Sequence, residues 1–482
     1  MGYSIHEAGA MRQKRCGRIY GLMLAVVWLS VTASMAAEET WRVLRIDNLE
    51  LVSNRSQRDL EQIHRDVYYF NRTMEFLFGQ KYARSSEPIS GLLLRNERDL
   101  REFVGDRAAT LLGAYVGVPG FEIFLARGGS GQSEVQHTLF HELTHRNLNP
   151  GNPPLWFNEG IAELFETAKI RRRDVQIGAP NKNWVWYHTK AIRLYKIGWD
   201  EFFSVTSDSE RYRNPDKSTD FYGMAWLLAH YCWFGKSELR EKYLQLSLRP
   251  NVDDQVFEEV FGFGFKHMET LLAGYVSSLN YRPIEISLDR LDALPKPDVR
   301  MAEPALWKNY HARAYLVGDN KERARNLATA IPQGDPHRLM AVETLWALSG
   351  SEEDEKGRAA YQEEAHQLNS TNPLLRTVLI DQRLKDFRNS HPEVDQPSLP
   401  PELAGEMIAE LVPALRLYRK NPHAVALAIQ VMDLANAAVP EQLMHIFSVW
   451  ETSYAESAKE TAAALQRIRA RQAPVSPPEV EA

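Results

Sequence analysis

The chain has 482 residues, which is too long for a single hydrophobic core, so about two or three domains are expected. Its hydrophobic content of 44% and its charged content of 25% are typical of a folded protein. The formal net charge of −6 at pH 7 shows no basic surplus, so the composition gives no indication of a nucleic-acid partner.

The N-terminal segment has the composition of an export signal. A basic region comes first and contains Arg12, Lys14, Arg15 and Arg18. An uncharged run follows from residue 19 to residue 37, and small residues close it. This pattern predicts a signal peptide over residues 1–37, with Met11 as an alternative start, and a periplasmic or secreted mature protein. The alternative is an uncleaved membrane anchor over residues 19–37, since such a run is long enough to span a bilayer.

Several strands and one long helix are predicted in the first third of the chain. Residues 41–54 alternate apolar and polar side chains, which is typical of a strand. Two further strands are predicted at residues 89–95 and 121–127, with a charged helical stretch between them. A helix is predicted over residues 57–78, and Gly79 ends it.

Beyond Pro154 the chain is predicted to be mostly helical as far as about Tyr281. Strands followed by helices in this order predict an α+β domain over residues 38–282. Residues 283–300 contain several prolines and are predicted to be a linker.

The rest of the chain is predicted to be helical. Residues 301–470 resemble degenerate tetratricopeptide repeats, because Pro336 and Pro373 are 37 residues apart, although Pro422 lies 49 residues further on. The alternative is an irregular helical bundle. Residues 471–482 are predicted to be a disordered tail.

The segment HELTH places His141, Glu142 and His145 at the spacing of a metal-binding motif. Ser133 and Gln136 have the spacing of a capping box, which predicts a helix from about residue 134. On such a helix the two histidines are about 400° apart, so their side chains leave the same face. A chance His-Glu-x-x-His is expected roughly 0.03 times in a chain of this composition, which favours a zinc site over an ordinary polar helix.

A catalytic zinc site needs a third protein ligand and one open position. Glycine and prolines at residues 151–154 break the chain, so a second helix can cross back over the first. Glu159, in the stretch WFNEG, is the predicted third ligand. Glu163 lies one turn further along and is predicted to accept the free N–H of a ligand histidine. Glu142 is rotated about 100° from His141, so its carboxylate can reach a metal-bound water without binding the metal.

Two further histidines are weighed for the same site. His137 precedes His141 by four residues and is either a fourth ligand, which would make the zinc structural, or a half-buried neighbour at the wall of the cleft. His230 is considered as a residue that contacts the reaction intermediate.

HELTH followed by LWFNEGIAELFE resembles the His-Glu-x-x-His…Asn-Glu-Gly arrangement of gluzincin metallopeptidases, such as thermolysin and the aminopeptidase N-type enzymes. The short gap between the motifs, the preceding strands, the leader and the helical tail are most similar to the peptidase MA-like family. The resemblance covers about residues 40–280 and is specific near residues 137–166 and 220–231. It implies a thermolysin-like domain that holds one Zn²⁺ per chain through His141, His145 and Glu159.

The resemblance also implies a role for Tyr222, in the stretch DFYGMAWLLAHY. The aminopeptidases place a tyrosine here that donates a hydrogen bond to the tetrahedral intermediate. The alternative is a core tyrosine whose hydroxyl is bonded elsewhere.

Together these features predict an exported peptidase that hydrolyses peptide bonds by a zinc-bound water, with Glu142 as general base. No Gly-x-Met-Glu-Asn stretch is present, so an endopeptidase acting on peptides or proteins is expected rather than an aminopeptidase. If residues 121–127 form an edge strand beside the cleft, substrate can bind there as an added strand. The alternative is an exported scaffold protein whose helical repeats bind a protein partner and whose zinc domain is structural or inactive.

Overall fold

A computed structural model describes residues 40–79, 89–109, 113–118, 121–128, 132–148, 153–181, 185, 197–206, 208–249, 251–278, 281–394, 397–416, 421–453 and 461–472. The predicted signal peptide and nearly all of the predicted tail lie outside these residues. Within the described ranges, no helix combines the length and the apolar composition that crossing a membrane requires.

The described strands form two β-sheets. In chain order the strands are β1 (Arg42–Ile46), β2 (Leu49–Ser53), β3 (Ile89–Leu94), β4 (Gly113–Val118), β5 (Phe121–Arg127), β6 (Lys169–Ile170), β7 (Asp174–Ile177), β8 (Ile284–Ser287) and β9 (Asp298–Met301). The larger sheet has the order β4-β5-β3-β2-β1-β9, and the smaller has the order β6-β7-β8. Only the β2–β3 and β3–β5 pairs of these sheets are parallel.

The helices of the first part of the chain surround these sheets. They are α1 (Gln57–Phe78), α2 (Glu97–Val104), α3 (Gln132–Leu148), α4 (Leu155–Glu166), α5 (Trp199–Ser204), α6 (Glu210–Arg213), α7 (Pro215–His230), α8 (Arg240–Leu246), α9 (Asp254–Phe261) and α10 (Phe265–Ser278). The predicted α+β class is therefore confirmed.

The rest of the described chain is helical, as predicted. Its helices are α11 (Pro304–Val317), α12 (Lys321–Thr329), α13 (Arg338–Ser351), α14 (Glu355–Gln367), α15 (Pro373–Asn389), α16 (Pro401–Arg416), α17 (Pro422–Leu434), α18 (Glu441–Ser453) and α19 (Ala462–Gln472). Consecutive helices from α11 to α18 pack against one another, and α15 to α19 share a hydrophobic core of their own. Because α19 ends at Gln472, the helical region extends two residues into the predicted tail.

The sequence predicts the first helix correctly but not the first strands. The predicted helix over residues 57–78 is confirmed, with the Ser56 side chain accepting from the Asp59 N–H and with Gly79 at a φ of 80°. The single strand predicted over residues 41–54 is wrong, because β1 and β2 form a hairpin that reverses at Asp47, where φ is 51°. Ile46 and Leu49, on either side of the turn, are both buried, and the two consecutive polar residues between them, Asp47 and Asn48, were the available signal for it.

The edge of the larger sheet also differs from the prediction. The strand at residues 121–127 is β5, which pairs with β4 on one side and β3 on the other. Among the described strands, β4 is therefore the edge strand at this end of the sheet. The stretch GAYVGV escapes recognition because glycine has low strand propensity.

Residues 283–300 are not the predicted linker. They contribute β8, which pairs with β7, and β9, which pairs with β1. The prolines that suggested a linker stand just before these short strands. The strands pair with partners more than 100 residues away in sequence, so the local pattern does not show the pairing.

The larger sheet is covered on both faces. On one face, Leu51 and Phe124 belong to a core shared with α1, α3 and α4. On the other face, Val52 and Leu125 belong to a core shared with α2 and α11. The first helix after residue 300 therefore packs directly on the sheet.

Helices α4 and α7 pack closely because of Gly160. A Cβ atom at this position would lie 2.7 Å from the Ala225 carbonyl oxygen and 3.0 Å from the Tyr243 hydroxyl. The absence of a side chain at Gly160 thus lets the backbones of two helices approach, and Glu159 lies next to this contact.

We expect Gly160→Ala to destabilise the fold by about 1–3 kcal/mol, because the added methyl group overpacks a rigid helix contact. The matched control is Gly274→Ala, at an exposed position of α10 where a Cβ atom would meet nothing within 4 Å. The control is expected to be neutral or to stabilise by up to about 1 kcal/mol. Thermal unfolding of both variants checks this, and equal melting temperatures for the two would contradict the close contact.

Candidate metal centre

The helix that carries HELTH is anchored by residues far away in sequence. It starts at Gln132, so Ser133 lies inside the helix and the predicted capping box is wrong. Gln136 instead donates a hydrogen bond to the buried carboxylate of Asp66 on α1. Near the other end of α3, the Asn147 side chain donates to the side-chain oxygen of Asn71, which also lies on α1, at 3.2 Å. These contacts fix α3 against α1. Local capping rules do not include them, because α1 is distant in sequence from α3.

His141, His145 and Glu159 converge at the crossing of α3 and α4. The Nε2 atoms of the two histidines are 3.0 Å apart. The Glu159 Oε2 atom lies 3.6 Å from His141 Nε2 and 3.4 Å from His145 Nε2. One atom from each side chain therefore points to a common centre, and this group could hold a metal ion.

The size of this triangle matches a tetrahedral zinc shell. Zinc binds imidazole nitrogen and carboxylate oxygen at about 2.0–2.2 Å, so neighbouring ligands of a tetrahedral ion are about 3.3–3.6 Å apart. The three observed distances, from 3.0 to 3.6 Å, surround this value. Two imidazoles and one carboxylate are also a donor set that zinc accepts while one position stays open.

The Glu159 carboxylate is buried, and its Oε2 atom accepts no hydrogen bond from the residues that the structure describes. Burial raises the pKa of this carboxyl, but the adjacent His145 and His141 outweigh that effect and hold the pKa well below its ordinary value. Glu159 is therefore ionised at neutral pH, as a metal ligand must be. A buried anionic oxygen of this kind requires a cationic partner.

Glu142 lies beside the triangle without joining it. Its side chain is half-buried, and its carboxylate is not part of the group that could hold a metal. Burial raises the pKa of Glu142, an effect that His141 and His145 partly offset and Glu159 reinforces. A carboxylate with a raised pKa next to a cation site has the property required of a general base.

Three glutamates of α4 face α3, and one of them, Glu166, was not predicted. Glu163 and Glu166 each place a carboxylate oxygen within 4.8 Å of an imidazole nitrogen of His141. The Glu166 Oε2 atom is 3.4 Å from His141 Nδ1, and its Oε1 atom accepts from Asn181 at 2.6 Å. Glu166 is thus placed for the role predicted for Glu163, which is to accept the free N–H of His141. The spacing of positions 159, 163 and 166, which places them on one helical face, was the available signal.

Tyr222 does not stand alone at the site. The Tyr212 hydroxyl donates a hydrogen bond of 2.8 Å to Glu159 Oε1, and the Tyr212 and Tyr222 hydroxyls are bonded to each other. Because the ionised Glu159 can only accept, Tyr212 donates to it and Tyr222 donates to Tyr212. Tyr212 was not predicted, since it lies on the short, charged helix α6, which carries no motif.

The other two histidines lie elsewhere. His137 is half-buried and is not part of the group that could hold a metal. His230 is fully buried, with Nδ1 at 2.8 Å from the Tyr275 hydroxyl and Nε2 at 3.0 Å from the Gly178 carbonyl oxygen. Both ring nitrogens are thus used within the core, so the suggested contact of His230 with a reaction intermediate is not supported.

In comparison with known proteins, a family model matches part of the chain. Residues 135–253 match a family model described as "Protein of unknown function (DUF1570)". This region contains the convergent residues of α3 and α4 together with both tyrosines. No curated protein matches the chain.

We expect zinc to stabilise this protein against thermal unfolding, because the folded state binds the ion and the unfolded chain lacks the site. At free zinc about 100-fold above its Kd, the gain is about 2.7 kcal/mol. The measurement compares the melting temperature of the chelator-treated protein before and after zinc is added.

Glu159→Gln is expected to lose this zinc-dependent shift, whereas Glu258→Gln, the same change at an exposed position of α9, is expected to retain it. Each variant is compared with its own metal-free form, so a change in basal stability does not affect the result. An equal shift in Glu159→Gln and in the wild type would show that the ion binds elsewhere.

Proposed function

We propose that this protein is an exported zinc-dependent peptidase, and more specifically an endopeptidase with a thermolysin-like, gluzincin-type domain. The observation that carries the proposal is the triangle of ligand atoms from His141, His145 and Glu159, with edges of 3.0–3.6 Å. Glu142 beside it is the second element that hydrolysis requires. A purely structural zinc would be enclosed by four protein ligands, and the described residues supply three at this centre.

A zinc ion held by these three residues would lower the pKa of a water molecule and polarise a peptide carbonyl group. The protein's own contribution is to orient the ligands and to move protons. Glu142 accepts the proton of the attacking water and then transfers it to the nitrogen of the leaving amine. Burial raises the pKa of Glu142, which makes its carboxylate a stronger base for taking that proton.

Tyr222 is placed to contribute to hydrolysis, but its hydrogen bond to Tyr212 limits how it can do so. The Tyr222 hydroxyl carries one proton, and in this structure that proton is donated to Tyr212. Donation to the oxyanion of a tetrahedral intermediate therefore requires the hydroxyl to rotate away from Tyr212. The predicted catalytic role of Tyr222 stays a proposal on this basis.

Strand β4 offers a binding edge for an extended peptide. It is the edge strand of the described sheet, and it packs against α3, which carries the two histidines. A substrate that pairs with β4 would run past the site with its backbone hydrogen-bonded, so binding would depend little on side-chain identity. This arrangement suits an endopeptidase, since it does not require a free terminus.

Glu142→Gln is expected to lower the rate of peptide cleavage by about 10²-fold or more, because the amide cannot accept the proton of the attacking water. Zinc content is expected to stay unchanged, since Glu142 does not bind the ion. The measurement is mass spectrometry of products from a mixture of peptides of random sequence, incubated with zinc-loaded protein.

The matched control is Glu258→Gln, which is expected to cleave at the wild-type rate. Retained cleavage in zinc-loaded Glu142→Gln would contradict the mechanism. No cleavage by the zinc-loaded wild type, on any peptide of the mixture, would instead favour a binding protein with an inactive zinc domain.

A further inference from the structure

The two oxygens of Glu159 have different partners. Oε2 faces the Nε2 atoms of His141 and His145, at 3.6 Å and 3.4 Å. Oε1 accepts the hydroxyl proton of Tyr212 at 2.8 Å. The carboxylate is buried, with 3% of its side chain exposed, so water does not compete for these positions freely.

This difference matters because a carboxylate can bind a metal through one oxygen or through both. With two histidines already bound, a carboxylate that used both oxygens would fill the fourth position of a tetrahedral ion. Hydrolysis needs that position to be open to water or substrate. A hydrogen bond that occupies Oε1 keeps this oxygen directed away from the ion.

We propose that Tyr212 is a positioning residue that holds Glu159 in a one-oxygen binding mode and so keeps one coordination position open. The proposal rests on the zinc site of the proposed function and assigns to Tyr212 a role in setting its coordination number. Tyr212 does not contact the ion or the substrate in this account. It acts through Glu159 alone.

Tyr212 is itself held in place from several sides. Its ring packs edge-on against Phe221, with centroids 6.1 Å apart, and lies tilted by 34° against the Tyr222 ring, with centroids 5.9 Å apart. Its backbone N–H bonds the Ser209 carbonyl oxygen at 3.1 Å, at the start of α6. The Tyr212 proton is directed at Glu159 because the ionised carboxylate can only accept a hydrogen bond. The hydrogen bond to Oε1 is thus built into the packing of α6 and α7.

The test is Tyr212→Phe, which removes the hydroxyl and keeps the ring. Zinc affinity, measured by competition with a chelator, is expected to fall about 10–100-fold, as it does when a group that orients a ligand is removed. X-ray absorption at the zinc edge is expected to show the carboxylate carbon closer to the ion, since both oxygens then bind. A role in stability alone would move neither measurement.

Tyr222→Phe is the matched control for metal binding. It removes the outer hydroxyl of the pair and leaves the bond from Tyr212 to Glu159 in place. Its zinc affinity and absorption spectrum are expected to match those of the wild type. The melting temperature of each metal-free variant shows whether the fold is retained.

The outcomes separate this proposal from the proposed function. A wild-type protein that binds no zinc would refute both. Zinc binding by the wild type, with affinity and carboxylate geometry unchanged in Tyr212→Phe, would overturn the role of Tyr212 alone. A metal-free Tyr212→Phe chain that does not fold would assign the hydroxyl to stability and would also overturn it.

Discussion

The burial of one carboxylate between two imidazoles is the constraint on which the rest of this site depends. Glu159 is 2% exposed, and its Oε2 atom is aimed at His141 and His145. Burying an unpaired negative charge is strongly unfavourable, so the fold must supply a positive partner at this point. A divalent cation would satisfy the carboxylate and both imidazoles together, and these three residues could hold one.

The scaffold around this point combines close packing with hydrogen bonds that reach each ligand from outside. Gly160 allows α4 to approach α7, which carries Tyr222. A chain of two hydroxyls then ends on Glu159, and a chain from Asn181 through Glu166 ends on His141. Ligands fixed in this way need little reorganisation when they bind a metal, which favours both affinity and a defined geometry.

What could be predicted from the sequence depended on how local the signal was. The i, i+4 spacing of His141 and His145 and the break before α4 are local, so the convergence of these residues was predictable. The bounds of α1 were predictable for the same reason, since Ser56 and Gly79 act within one turn. Tyr212, Asn181 and strand β9 were not, because their roles arise from contacts between distant segments. Tertiary contacts likewise moved the start of α3 ahead of its apparent cap.

The measurement that tests the account most directly is the zinc content of the chain without its predicted leader, residues 38–482, purified without chelator or added metal. Elemental mass spectrometry is expected to find about one zinc per chain in the wild type, because three ligands of this type retain the ion through purification. His145→Ala is expected to contain far less. A folded, monodisperse wild-type sample without zinc, or a His145→Ala sample with as much zinc as the wild type, would contradict the account.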